Sequence, residues 1–340
     1  MMRAVAKTVL NRIQGVRARR SLRAAERAIA AGKIMLAAAK YAEAAARAQA
    51  ETSLLRRVRK TAGKNLLKAG APRDAMAHLY AVAEWSPEDA DNLRRLTRAA
   101  SQTDDAATEI FAWRALLKCE PENLKAHRRL AKLYYAHAPE MAAPHLEAVA
   151  AAASGWTENW RRLARVRSMT DDFGGEADAW RRVLENEPGD REAHERLAEL
   201  VWDPKNAAAA LPHLEALADA PSDNCEFWER LARARADAGD RAGEVAAWRR
   251  FLRASRYSFV AHRRIGALMM AKGAPDMAAP HLNAAAALAP GKESILEMRA
   301  EACRALNDCD GEIDALSKLT ALKPHDAAVV QRLGALLMKD

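Results

Sequence analysis

His127-Arg128-Arg129-Leu130-Ala131 returns as His194-Glu195-Arg196-Leu197-Ala198 and again as His262-Arg263-Arg264-Ile265-Gly266. Working outward, the first position of this stretch recurs at Arg59, Leu93, His127, Trp160, His194, Trp228, His262, Leu296 and Val330, always 34 residues apart except for one step of 33. Three residues on stands Ala62, Leu96, Leu130, Leu163, Leu197, Leu231, Ile265, Arg299 or Leu333, and the next residue is small nearly every time, as at Gly63, Ala131, Ala198 and Gly266. Twenty after the anchor comes a bulky apolar residue (Leu79, Trp113, Trp180, Leu214, Trp248, Leu282, Leu316), with Leu146 in that role after the short step. Twenty-eight after it falls Pro87, Pro121, Pro188, Pro290 or Pro324. Apolar residues at the anchor and three, four and seven positions on form one helical stripe. The bulky position marks a second helix, and proline, lacking an N–H, stops it.

These offsets together resemble the tetratricopeptide repeat (TPR), a unit of two antiparallel helices and a turn. One pair cannot bury both of its faces, so neighbours stack. The expected fold is all-α, a right-handed superhelical solenoid of about eight repeats over 56–340, ending on a lone first helix. Residues 1–55 are expected to form a separate front: a basic amphipathic helix and a degenerate helical repeat around Lys40-Tyr41-Ala42-Glu43-Ala44.

A longer period overlies the first. Second helices alternate between a histidine type (His78, His145, His213, His281) and a tryptophan type (Trp113, Trp180, Trp248), while the residue sixteen past the anchor alternates as Ala75, Glu109, Ala143, Glu176, Ala210, Glu244, Ala278, Glu312. The duplicated unit is thus a 68-residue pair. Histidines two repeats apart stand too far from each other to share one ion, because His–metal bonds are only about 2 Å. They read as structural, and no metal or cofactor is expected.

Half of the 340 residues are apolar and the net charge is +9. That charge is uneven: residues 1–73 carry +15 and the remainder −6. Such asymmetry concerns partners rather than fold. No apolar run is long enough to span a bilayer, and the start lacks the core of a secretory signal. Cys119, Cys225, Cys303 and Cys309 have no zinc or redox spacing and read as reduced, buried thiols of a cytoplasmic protein. There is no GxSxG, P-loop, GxGxxG or HExxH. Asp104-Asp105 and Asp171-Asp172 fall in turns, where aspartate caps helices, so no catalytic residue is assigned. Trp85, Trp156 and Trp202 fall near turns.

At the N-terminus Met2, Val5, Val9, Ile13 and Val16 make an apolar stripe among Arg3, Lys7, Arg12, Arg17, Arg19 and Arg20. It suits either a cap on the first repeat, a contact with another chain, or an anionic membrane surface reached through residues 1–20, peripheral to an inner membrane. The last stripe, Val330 to Leu337, has an apolar outer face unlike a cap. Bacterial proteins that resemble this chain place a TPR array ahead of an enzyme domain, such as a glycosyltransferase or sulfotransferase. On that alternative the chemistry lies outside these residues.

In the family, ligands are held on the concave face lined by first helices. The offsets expected there give Arg57, Lys60 and Lys64, then Arg94 and Arg98, then Lys125, Arg128, Lys132 and Tyr135, then Arg161 and Arg165. Beyond these the lining turns acidic at Glu192, Glu195, Glu199, Glu226 and Glu229. The two-carboxylate clamp of some TPR modules is matched only by Lys60, Lys64, Arg95, Lys125 and Arg129, with bases where that clamp has asparagines. The expected function is a non-catalytic interaction scaffold, a targeting module whose basic groove holds an acidic protein or peptide segment. Nucleic acid is disfavoured because stacking aromatics are few.

Overall fold

The computed structural model describes residues 2–153, 155–218 and 224–338, with side chains from residue 6 onward. The stripe residues Met2 and Val5 therefore lie outside the described side chains. Among the described residues there is no strand, and no helix is long and apolar enough to cross a membrane. The chain divides into two compact units, 1–182 and 183–340.

The first unit holds α1 (Met2–Ala30), α2 (Ile34–Arg47), α3 (Thr52–Lys68), α4 (Pro72–Trp85), α5 (Ala90–Gln102), α6 (Ala106–Cys119), α7 (Leu124–Tyr134), α8 (Pro139–Ala152), α9 (Thr157–Met169) and the start of α10 (Phe173–Asn186). The second holds α11 (Arg191–Leu200), a 3-10 turn (Ala207–Ala210), α12 (Leu211–Leu217), α13 (Cys225–Asp237), α14 (Arg241–Ala254), α15 (Phe259–Ala271), α16 (Pro275–Leu288), α17 (Glu293–Ala305), α18 (Cys309–Leu322) and α19 (Ala327–Leu337). The 34-residue periods form packed pairs, α3 on α4, α5 on α6, α7 on α8, α11 on α12, α13 on α14, α15 on α16 and α17 on α18, and α4, α6, α8, α12, α14, α16 and α18 each pack on the first helix that follows. At the front, α2 packs between α1 and α3, and buried Tyr41 accepts a hydrogen bond from Asn65 Nδ2 at 2.8 Å.

The expected stripes form the core: Leu93, Leu96, Leu130, Leu163, Leu197, Leu231 and Ile265 are fully buried. The small residue in the stripe has the role expected of it. A Cβ on Gly63 would stand 2.5 Å from Leu79 Cδ2, and one on Gly266 would stand 2.6 Å from Leu282 Cδ2. Absence of a side chain is what lets the second helix's leucine seat there.

Aspartate and asparagine cap the helices as expected. Asp105 accepts from the Thr108 amide at 3.0 Å, Asp172 from Gly175 at 3.0 Å and Asn123 from Ala126 at 3.1 Å. Asp104 and Asp171 precede those caps with φ of 55° and 56°, left-handed turns that aspartate tolerates.

Three expectations need correction. Of the four free cysteines only Cys303 is buried; Cys119 and Cys225 are half-buried and Cys309 is exposed. The second helix of the fifth repeat is not continuous. Trp202-Asp203-Pro204-Lys205-Asn206 lengthens the turn, and with Pro212 in the first turn of α12 only seven α-helical residues follow the 3-10 segment. The N-terminal stripe is not a cap on the first repeat, because Val9, Ile13 and Val16 are exposed. The buried side of α1 is instead Ala18, Leu22 and Ala25.

Candidate functional site

First helices α5 and α7, with α6 beneath them, enclose an open cleft of about 750 Å³. Arg94 and Arg98 come from α5, and Lys125, Arg128, Arg129 and Lys132 come from α7. Two of these cations are occupied. Arg94 pairs with Asp91 at 3.0 Å and with Glu120. Arg129 donates through Nε and Nη2 to Glu109, at 2.6 and 2.9 Å, and Trp113 Nε1 donates to the same carboxylate at 3.0 Å. The paired, buried Glu109 raises the Arg129 guanidinium above its usual range, through the hydrogen bond first and the charge after it. Arg129 is therefore a structural latch between α6 and α7. No described carboxylate pairs with Arg98, Lys125, Arg128 or Lys132, and all four are exposed or half-exposed.

The other expected groove residues lie outside this cleft. Lys60 pairs with Asp89, the N-cap of α5, at 2.7 Å. Burial alone would raise the Asp89 carboxyl, but the Lys60 ammonium and the Asn92 amide together hold it below its usual range. Arg57 and Lys64 are exposed on α3. Tyr135, half-buried, caps the C-terminal end of α7. On α9, Arg161 donates to Thr157 Oγ1 at 3.5 Å and Arg165 is exposed.

The second unit has a cleft of about 270 Å³ between α11 and α13, lined by Arg191, Glu195, Glu199, Glu226 and Arg230 among others. Its acids are tied to arginines of their own helices: Glu195 to Arg191 at 2.6 Å, Glu199 to Arg196 at 2.8 Å and Glu226 to Arg230 at 2.5 Å; Glu229, outside the cleft on α13, pairs likewise with Arg233 at 2.5 Å.

The alternation seen in the sequence corresponds to two kinds of joint. In one, a buried glutamate of the second helix reaches an arginine on the following first helix, as Glu109 does. Glu244 accepts from Arg264, and Glu312 from Arg332. In the other, the anchor histidine meets the second-helix histidine of the same repeat. His127 Nδ1 and His145 Nδ1 are 3.0 Å apart, His194 and His213 3.1 Å, and His262 and His281 3.0 Å. Each anchor's Nε2 lies near a backbone oxygen, of Pro121, Pro188 or Arg256. A carbonyl only accepts, so that nitrogen carries a proton, and in the tautomer protonated there alone the anchor accepts at Nδ1. His145 and His281 therefore donate. Burial, then the facing histidine, then Arg114 or Arg249, holds these two below the usual histidine range.

Three second-helix histidines thus face the anchor histidine of their own repeat, a partner that their wide spacing does not reveal. A signal for the partners exists: every described clasp joins an anchor histidine to one 18 or 19 residues on. The first repeat lacks the clasp, with Arg59 at the anchor, and His78 Nδ1 is buried without a partner. Among the described residues no three His, Cys, Asp or Glu side chains form a group that could hold a metal ion.

Two antiparallel helices per 34 residues, closed by a bulky second-helix residue over a small one in the first, define the architecture. The fold is that of the tetratricopeptide repeat. Solved structures with which this chain shares partial likeness include "YrrB: a TPR protein with an unusual peptide-binding site" (12% identity, 55% of this chain and 96% of that one, TM-score 0.39). Others are the C-terminal part of a TPR repeat-containing protein from Cytophaga hutchinsonii (13%, 70% and 98%, TM-score 0.35) and TTC0263, a thermophilic TPR protein of Thermus thermophilus (19%, 54% and 99%, TM-score 0.28). No protein-family model matches the chain, and no curated protein matches it.

Proposed function

We propose that this TPR chain is a non-catalytic interaction scaffold whose cleft between α5 and α7 holds an acidic peptide segment of a protein partner. The observation that carries this is the set of four solvent-accessible cations, Arg98, Lys125, Arg128 and Lys132, that no described carboxylate neutralises. Like charges gathered on facing helices repel one another, and an anionic ligand relieves that repulsion. The exposed side chains Ser101 and Gln102 add hydrogen-bonding groups for a peptide backbone. Arg57 and Lys64, exposed on α3, extend the same charge sign, so an extended partner is favoured over a compact one.

A fluorescent poly-glutamate peptide is the probe. Its anisotropy with the full chain should rise at low salt and fall steeply as salt is added. Arg98→Glu, Lys125→Glu and Arg128→Glu combined should weaken binding by about a hundredfold, since attractive pairs become repulsive ones. Arg181→Glu, on the second-helix side and already paired with Asp178 at 2.7 Å, should change it little. Equal binding by the triple variant would overturn the proposal.

A further inference from the structure

We propose that the N-terminal part of α1 is a membrane-surface helix that lays Val9, Ile13 and Val16 into an anionic lipid bilayer. The helix has two opposed faces. On one, Gly15, Ala18, Leu22 and Ala25 are buried against the array. There Arg19 pairs with Glu51 at 2.7 Å and Arg47 donates to Ser21 at 2.9 Å. A Cβ on Gly15 would stand 2.8 Å from Glu51 Oε2, the flexible end of the side chain that holds Arg19.

At about 100° per residue, Val9, Ile13 and Val16 fall roughly half a turn away from that buried face. They are 51%, 45% and 61% exposed, and Leu10 beside them is 55% exposed. The array is thus seated without using the stripe, which leaves four large aliphatic side chains in water on one side of one helix.

Charge decides what covers them. Residues 2–25 hold seven Lys or Arg and no acid. By helical position Arg12 and Arg17 border the stripe on its two edges, and Arg20 continues its line. A second copy of this segment would set Arg12, Arg17 and Arg20 against their own counterparts beside the stripe. The core of a protein interface is depleted of charge, whereas here arginines adjoin the apolar residues along their length. A bilayer surface accommodates both features at once: the stripe enters the acyl boundary while arginine stems lie along it and their heads reach lipid phosphates. The stripe carries no aromatic residue, so the insertion is shallow and reversible.

The test is co-sedimentation of the full chain with vesicles. Equimolar phosphatidylglycerol and phosphatidylcholine should bind it, and phosphatidylcholine alone should not. Val9→Asp with Ile13→Asp should cut binding at least about tenfold. Arg12→Gln and Arg17→Gln should each cost about fivefold. All these side chains are exposed, so helicity and thermal midpoint should stay unchanged. Because the cleft is also basic, Arg98→Glu with Arg128→Glu serves as the discriminating variant and should still bind vesicles. The proposal is overturned if the chain ignores anionic vesicles, or if the Val9/Ile13 variant binds as well as the parent. It is equally overturned if only the cleft variant loses binding, or if sedimentation equilibrium finds a dimer that the Val9/Ile13 variant abolishes.

Discussion

In the first unit the cleft between α5 and α7 is walled by Arg94, Arg98, Lys125, Arg128 and Lys132; in the second, the residues at the same repeat offsets on α11 and α13 are Glu195, Glu199, Glu226, Glu229 and Arg233. Arginine is plentiful in both places. What differs is its partner. In the second unit each of the four glutamates has an arginine three or four residues away on its own helix, so the surface is neutralised locally. In the first unit four cations have no such neighbour. Pairs of this intrahelical kind add only a few tenths of a kcal/mol to a helix, so their absence costs little stability. It leaves charge available to a ligand. Overall basicity is therefore a poor guide to a binding face, and the local pairing of each charge is a better one.

The largest effect expected concerns the floor beneath the first cleft. Glu109→Ala would leave the Arg129 guanidinium, 33% exposed, and the buried Trp113 Nε1 without their acceptor. Losing one partner of a buried pair should cost about 4 kcal/mol in urea unfolding. Glu244→Ala should cost less, because Arg264 is 42% exposed and turns more easily to water. Equal losses in the two units would mean that solvent access to the arginine is irrelevant.

Acid should distinguish the units next. His78, buried and unpartnered near Arg59, is pushed down to about 4, by burial first and by Arg59 second. Its folded-state value lies below the unfolded one, so the stability it confers is complete above the ordinary histidine value. That stability is lost as pH falls from about 6.5 toward 4 and then levels off, a change of up to about 3 kcal/mol. His78→Leu should flatten this part of the pH–stability curve of the first unit. A curve of unchanged slope in the variant would remove His78 as its cause.

The smallest effect is a gain. In a chain whose first cleft carries the charge reversals, Glu195→Gln and Glu226→Gln should release Arg191 on α11 and Arg230 on α13. Affinity for poly-glutamate should rise about tenfold over the reversed parent. No gain would show that unpaired arginine alone does not make an anion site.

Most of the architecture was legible in the primary structure, since the anchor, the small residue and the proline each report a packing requirement that repeats. Leu130 and Ala131 had only one place to go. Two things were harder to read. The His127–His145 and Glu109–Arg129 contacts join polar residues 18 and 20 apart across different helices, and apolar periodicity is blind to such pairs. The alternation of Glu109, Glu244 and Glu312 was visible, and so was an arginine two residues beyond the next anchor (Arg129, Arg264, Arg332); only their conjunction signals the latch. At the candidate site the basic offsets were readable. Which cations are already occupied, Lys60 by Asp89 and Arg129 by Glu109, depends on neighbouring helices and was not.

The places that clasp and latch occupy also bear on how such a chain can change in length. A clasp joins two histidines of one repeat, so a whole repeat taken out carries its clasp with it. A latch glutamate needs an arginine two residues past the next anchor, and that place is Arg162 on α9 and Arg230 on α13 as well as Arg129 on α7 and Arg264 on α15. On α17 the same place is Met298. Loss of the α15–α16 repeat alone would thus set buried Glu244 against a methionine and strand its charge, so the seam before α17 is where electrostatics, rather than hydrophobic packing, fixes the copy number.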